Sequence, residues 1–366
     1  MKKCHIAYLG CTAALLGAGL GATPATAAHS TLIVHPGESI QKAVDAAQPG
    51  DTVLVLPGNY YESVKITKSG LTLRGSGRTT MIKPDPTVAV PDKPSKPDGT
   101  TPTTGSCAEK GNGICVIGTK TASLEGVTVS NLTVTGFAHS GVFAMATDGL
   151  TVRKVHAVDN KVWGIAQERS TRSTLRQNHA TGNGDAGLFL ANTVSAEEGA
   201  ADTSGTVIED NRLENNRIGL TVRRLRTLSV NDNYITANCV GVFVVGDENM
   251  PRAGAISVRD NTIVKNNKSC PKTERLPALQ GSGVVLTGAE ETEVTRNVIT
   301  DNVGESPLSG GVVLFKSFVG ATSERNRVSD NTLDGNAPAD LVNTDPGRDN
   351  SFTGNTCRAS KPSGMC

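Results

Sequence analysis

Aromatic side chains are scarce in this chain: 3% of 366 residues, against 40 glycines. A globular enzyme of ordinary build draws much of its core from aromatic burial, so a thick central core is not expected, although the length suffices for one large domain or two smaller ones. Net charge is missing too. At +1 near pH 7, the chain has no electrostatic reason to seek nucleic acid or an anionic membrane. There is no phosphate-binding glycine loop, no GxSxG elbow, no CxxC pair and no basic stripe interleaved with aromatics, which removes the nucleotide, serine-hydrolase, zinc and nucleic-acid readings those motifs would carry. After the N-terminal leader, no apolar run approaches the roughly 20 residues of a membrane span.

That leader is the first positive feature. Lys2 and Lys3, the apolar stretch from Ile6 to Ala22 and the small-x-small site Ala25-Thr26-Ala27 predict a secretory signal peptide over residues 1–28 and a secreted mature chain. A lipoprotein reading centred on Cys11 is weaker, because the apolar run follows that cysteine. Without Cys4 and Cys11, six of the eight cysteines remain, an even number for an oxidising compartment. Proximity favours Cys107 with Cys115, Cys239 with Cys270 and Cys357 with Cys366.

From residue 127 the chain repeats. "TLRQNHATGN", "VIEDNRLENN", "SVNDNYITAN", "SVRDNTIVKN", "EVTRNVITDN" and "RVSDNTLDGN" each place one asparagine five residues after another, as in Asn211 and Asn216 or Asn233 and Asn238. A glycine and a short apolar strand follow, as in "GLFLAN", "GLTVRR" and "GVFVVG". The shortest full period is 22 residues, Asn211 to Asn233, and longer intervals mark loops inserted into a fixed coil. Such a period, with short β segments and no helical pattern, predicts a parallel β solenoid. Asparagine suits its corners, tolerating left-handed backbone and offering an amide to the coil above. These asparagines are expected to be structural. After the pair ending at Asn336 no clean strand follows, so regularity is expected to fade there.

One helix is predicted. Ile40, Ala43, Val44 and Ala47 share a face, with Ser39 to cap the start and Pro49-Gly50 to stop it. A solenoid end exposes apolar unpaired strand, so this helix is expected to be a lid, with Val53–Leu56 and the later "VKI" and "LTLRGSG" as the first rungs. The proline-rich stretch 83–113 reads as an excursion loop that rejoins the coils at Ile114. Residues 29–82 would then hold the cap helix and first coils, 114–357 the remaining coils, and 358–366 a tail closed by a disulfide.

"GESIQKAVDAAQPGDTVLVLPGNYYE", "GLTLRGSG" and the N-x-I/V repeats together resemble the right-handed parallel β-helix proteins of the pectate-lyase-like superfold, particularly exported bacterial β-helix-repeat proteins. The resemblance spans roughly residues 31–357. It implies an all-β, right-handed parallel β-helix with a short N-terminal capping helix. It leaves activity open, since that group holds polysaccharide lyases, glycoside hydrolases, epimerases and proteins without known chemistry. The Asn-Thr-Asp, paired-aspartate and Gly-His-Gly motifs of its hydrolases are not assembled here: Asn343-Thr344-Asp345 stands alone near the C-terminus.

Within each glycine-led strand, alternate residues should face inward, as Leu188, Leu190, Leu220 and Val222 do, leaving Phe143, Phe189, Phe243 and Phe315 outward. That outward face is too apolar for free hydration; it is either buried under the inserted loops or a groove for sugar rings. Charge interrupts it at Glu168, Arg169, Asn192, Arg223, Arg224, Asp247 and Glu248, with Asp185 and Arg217 just before two strand glycines. A lyase acting on an acidic polysaccharide would use Glu168, Asp185 or Asp247 to hold Ca2+ or act as base, and Arg223 or Arg224 to neutralise the uronate. A hydrolase would need a carboxyl pair, for which Glu168 with Asp185 or Asp247 is the only candidate. Trp163, Phe189, Asn192, Phe243 and Lys316 are the candidate sugar contacts. His139 and His156 have no metal-ligand spacing. The same charged row also reads as a salt-bridge ladder, which leaves two functions: a secreted polysaccharide-binding and cleaving protein, or a non-catalytic extracellular glycan- or partner-binding module. A monomer is expected in either case.

Overall fold

The computed structural model describes residues 29–88, 106–119 and 121–366; the expected signal peptide and the middle of the expected excursion loop lie outside the described residues. Among them one helix occurs, Ile40–Ala46, and the remaining regular structure is strand. The strands stack in parallel into a 21-stranded and an 11-stranded sheet. Parallel neighbours need a long crossover between them, and here the rest of each coil serves as that crossover, wound in the right-handed sense such connections take.

Stacking like residues on like fills the interior. One inward column runs Leu32, Val53, Leu73, Val129, Val152, Leu175, Ile208, Val230, Val258 and Val294. Each fully buried aliphatic side chain contributes about 1.5–3 kcal/mol. The space between the sheets is filled by inward side chains of both and is largely aliphatic, with few rings such as Phe137 and Tyr60. The low aromatic content follows from this geometry.

The corners are held by asparagine ladders. One runs Asn178, Asn211, Asn233, Asn261, Asn297, Asn331 and Asn355, each side-chain amide donating to the Oδ1 of the next. A second runs from Asn160 through Asn183, Asn216, Asn238, Asn266 and Asn302 to Asn336. The left-handed backbone, however, belongs to the residue before each asparagine: Gln177, Asp210, Asp232 and Asp260 have φ between 54° and 58°. The asparagine itself turns inward and bonds, which is why it is buried. Glycines also stack in a column along the smaller sheet, from Gly113 to Gly311: a Cβ added at Gly187 would lie 2.8 Å from the carbonyl oxygen of Gly219 in the next coil, and one at Gly241 2.6 Å from that of Gly283.

At the N-terminal end one expectation needs correction. The first rung is not the strand after the helix but Thr31–Val34, before it, paired with Thr52–Val55. The helix caps the other sheet, packing on Val64–Ile66. Ser39 accepts from Lys42 N–H, and Glu62 takes the N–H groups of Ile40 and Gln41. Gln41 then imitates a missing rung: its side-chain oxygen accepts from Lys65 N–H at 2.6 Å and its amide donates to Lys65 C=O at 3.1 Å. That pairing satisfies part of an edge that would otherwise be free to recruit another strand.

The C-terminal end departs from expectation as well. Leu341–Asn343 pairs with Gly310–Leu314, and Ser360–Lys361 pairs on it in turn, so coiling continues where the apolar pattern fails. All three disulfides form: Cys107–Cys115, Cys239–Cys270 and Cys357–Cys366. With three such bonds the chain belongs to an oxidising compartment, extracellular or periplasmic.

Candidate functional site

The outward face of the smaller sheet is covered. Phe143, Phe189, Phe243, Val285 and Val313 form a second apolar cluster outside the coils, joined by Val194, Leu279 and Leu308 from the inserted loops. The Cys239–Cys270 bond ties the 267–281 loop to a coil corner beneath it. Of the two readings of this face, burial under loops is the one that the structure shows.

The candidate sugar contacts are therefore largely occupied. Trp163 stacks on Phe189, ring centroids 4.1 Å apart and nearly coplanar, and donates its indole N–H to Asp185 Oδ2 at 3.0 Å. Phe243 is buried in the same layer. Asn192 ties the 193–200 loop, donating to the carbonyls of Glu198 and Gly199. Lys316 alone among them is exposed, and its backbone N–H meets Thr344 Oγ1.

The five candidate catalytic residues divide by environment. Arg224 and Asp247 form a buried ion pair, with Arg224 also donating to Ala196 C=O at 2.9 Å. Asp185 is held by Trp163; partial burial raises its pKa, offset by that N–H and by Arg217. Arg217 itself is buried, donates to Pro271 C=O, and is pushed below its ordinary pKa by lost hydration. Glu168 and Arg223 are left.

Glu168 and Arg223 lie in one outward column, on either side of Ala191. Two coil steps separate them by about 10 Å of backbone, and Ala191 between them is buried in the cluster that includes Val194 of the covering loop. Glu168 is 5% exposed; its Oε2 accepts from Val194 N–H at 3.3 Å, and its Oε1 has no partner among the described residues. Burial raises its pKa, only partly offset by that N–H and by Arg169 and Arg223. Arg223 has no carboxylate within ion-pair distance among the described residues. Lost hydration lowers its pKa to about 10, with the charges of Arg224 and Arg275 adding to the shift and the carboxylates of Asp247 and Glu168 opposing it. A buried carboxyl with a raised pKa thus shares a column with a guanidinium that makes no direct ion pair among the described residues. Arg275 was not legible as a member of this site, because only the path of the 267–281 loop brings it near. The Ca2+ expectation finds no support in the arrangement: no three His, Cys, Asp or Glu side chains among the described residues converge to hold a metal ion.

The Glu168 shift has a stability consequence. A carboxyl whose folded pKa is raised holds its proton longer in the native state, so stability falls as pH climbs from the ordinary glutamate range to the raised value and stays lower above it. Glu168→Gln is expected to remove that decline. Urea midpoints from pH 4 to pH 8 check it, and parallel curves for both proteins would refute the assignment.

The model "Right handed beta helix region" matches residues 104–267, and "Periplasmic copper-binding protein (NosD)" matches residues 199–361. No match to a curated relative was found. Among solved structures, the A-module of a mannuronan C-5 epimerase from Azotobacter vinelandii is 18% identical, with a TM-score of 0.54 over 86% of this chain and 89% of that one. An alginate lyase from Paenibacillus sp. is 14% identical, with a TM-score of 0.57 over 87% and 99%. The Dettilon tailspike protein is also 14% identical, with a TM-score of 0.61 over 91% of this chain and 60% of that one. Likeness at this level speaks to fold alone. With the parallel stacked sheets and the asparagine ladders, it makes the chain a right-handed parallel β-helix protein.

Proposed function

We propose that this is an exported protein that binds an acidic polysaccharide, with Arg223 as the residue that meets the substrate carboxylate. The observation that carries the reading is the cation at Arg223, without a counterion among the described residues and with exposed Arg275 and buried Arg224 beside it. Asp247 balances Arg224, so Arg223 and Arg275 are left as the neighbouring charges that repel, and a bound carboxylate relieves that repulsion while making paired, charge-assisted hydrogen bonds. An epimerase and a lyase named for mannuronan and alginate share the fold, which agrees with the ligand class. The expected test result is saturable, chelator-insensitive binding to at least one uronate polymer in a panel of acidic and neutral polysaccharides, weakened about tenfold by Arg223→Gln. Equal affinity for neutral and acidic polymers, or none for any, would overturn the reading.

A second reading adds lyase chemistry and rests on Glu168. Burial pushes the Glu168 carboxyl up, the direction that suits a general acid toward a leaving sugar oxygen. The same panel reports it: unsaturated ends that vanish in Glu168→Gln while binding persists would establish cleavage.

Copper, named for one matching family model, does not fit. Residues 199–361 contain no histidine, and the cysteines there, Cys239, Cys270 and Cys357, are oxidised in disulfides. No copper ligand set remains in that stretch.

A further inference from the structure

On the larger sheet, away from the loop-covered face, a concavity of about 520 Å³ opens at the asparagine corner. Its floor follows from the coil register. His156, His179 and Arg212 line it from one position on three successive coils, and Tyr234 continues that column on the next coil, just beyond the concavity. Lys154 and Asp210 line it from corner positions in left-handed backbone, and Arg78 reaches in from an earlier coil.

The charges there are unevenly paired. Glu214 is doubly engaged, by His179 Nε2 at 2.7 Å and by Arg212 at 2.6 Å. Arg78 donates through Nε to His156 Nε2 at 3.0 Å, and its terminal nitrogens have no partner among the described residues. That imidazole stays neutral at physiological pH, its pKa lowered to about 4 by burial and by the nearby charges of Arg78 and His179. Lys154 has no ion pair among the described residues. Three fixed cations, Arg78, Lys154 and Arg212, thus face Glu214, already shared, and the single further carboxylate Asp210.

Ring faces repeat along the same line. His156 and His179 meet edge to face with centroids 5.5 Å apart, and the Arg212 guanidinium lies 4.9 Å from the centre of the Tyr234 ring. Rings and cations therefore recur at the coil spacing of about 4.8 Å. A compact anion would engage one cation and leave the rest idle. A neutral chain would use the rings and leave Arg78 and Lys154 unpaired. A linear chain of rings bearing negative groups uses both.

We propose that this corner groove is a second binding site, taking a linear glycan with carboxylate or sulfate groups laid along the coil axis. Its ligand class rests on the polysaccharide reading above, whereas its location and residues are independent of Arg223. Titration calorimetry with an oligogalacturonate, a sulfated oligosaccharide and a neutral oligosaccharide of equal length tests it. The protein would be compared with Lys154→Asn, Lys154→Asn/Arg212→Gln and Arg223→Gln, all checked by circular dichroism. Asparagine tolerates the left-handed backbone at position 154, so that single variant should stay folded. The expected result is binding of one charged oligomer, weakened about tenfold in the double variant and less in the single one, and kept in Arg223→Gln. Whether the carboxylated or the sulfated oligomer binds identifies the group recognised. Binding that ignores both groove variants, or that prefers the neutral oligomer, overturns the proposal. Loss in Arg223→Gln alone also overturns it while leaving the first site standing, and loss in every variant would mean one continuous site instead of two.

Discussion

Asn238→Ala should destabilise the protein by about 3 kcal/mol or more, the penalty for stranding several buried polar groups at once. The side chain is fully buried. Its amide donates to the carbonyls of Leu213 and Thr236 and to Asn266 Oδ1, and its own Oδ1 accepts from the backbone and side-chain N–H groups of Asn216. Alanine leaves those partners unsatisfied in a fully buried corner. Urea unfolding followed by circular dichroism measures the loss. A change below about 1 kcal/mol would show that the ladder is ornamental and that aliphatic stacking alone holds the coils.

Gly241→Ala is expected to be of similar size, for the opposite reason. A methyl group there would sit 2.6 Å from the carbonyl oxygen of Gly283 in the next coil and 2.6 Å from Ile263 Cγ2. One neighbour is backbone fixed by parallel pairing, and the other is packed in the core, so neither moves without opening a rung. Overpacking of this kind costs about 1–3 kcal/mol, and the upper end is expected because the strain falls on sheet hydrogen bonds. The midpoint of the same unfolding curve reads it, and an unchanged midpoint would mean that the coils separate more easily than their register suggests.

Much of this architecture was legible. The five-residue asparagine spacing and the following glycine mark coil corners directly, and inward alternation follows from strand geometry, so Leu220 and Val222 are core as expected. Disulfide partners follow from proximity because each bond spans a local loop. Coil-to-coil register is a periodic property, and periodicity survives in sequence. Loop paths do not. That Arg224 would be paired with Asp247, or Trp163 laid on Phe189, depends on how the 193–200 and 267–281 loops fold back, and no repeat encodes it. The first rung, Thr31–Val34, was not legible because it is four residues long, precedes the cap helix and lies outside the asparagine repeat. The corner groove had a signal: "HAVDN" and "HATGN" place His156 and His179 at one repeat position. Two histidines at one repeat position do not by themselves mark a groove, because Arg78 comes to it from an earlier coil.

The second ladder does not end on asparagine. Asn336 gives both its backbone N–H and its side-chain amide to Asp340 Oδ1, and Asp340 Oδ2 receives the N–H groups of Arg358 and Ala359. An ionised carboxylate accepts and cannot donate, so it can receive the relay and not pass it on. At the other end Asn160 Oδ1 takes the backbone N–H of Phe137. The ladder therefore has a polarity and a full stop. A repeating unit that adds to itself indefinitely makes a filament; this ladder writes its own length into the chemistry of its last member, whose carboxylate offers the next coil no donor.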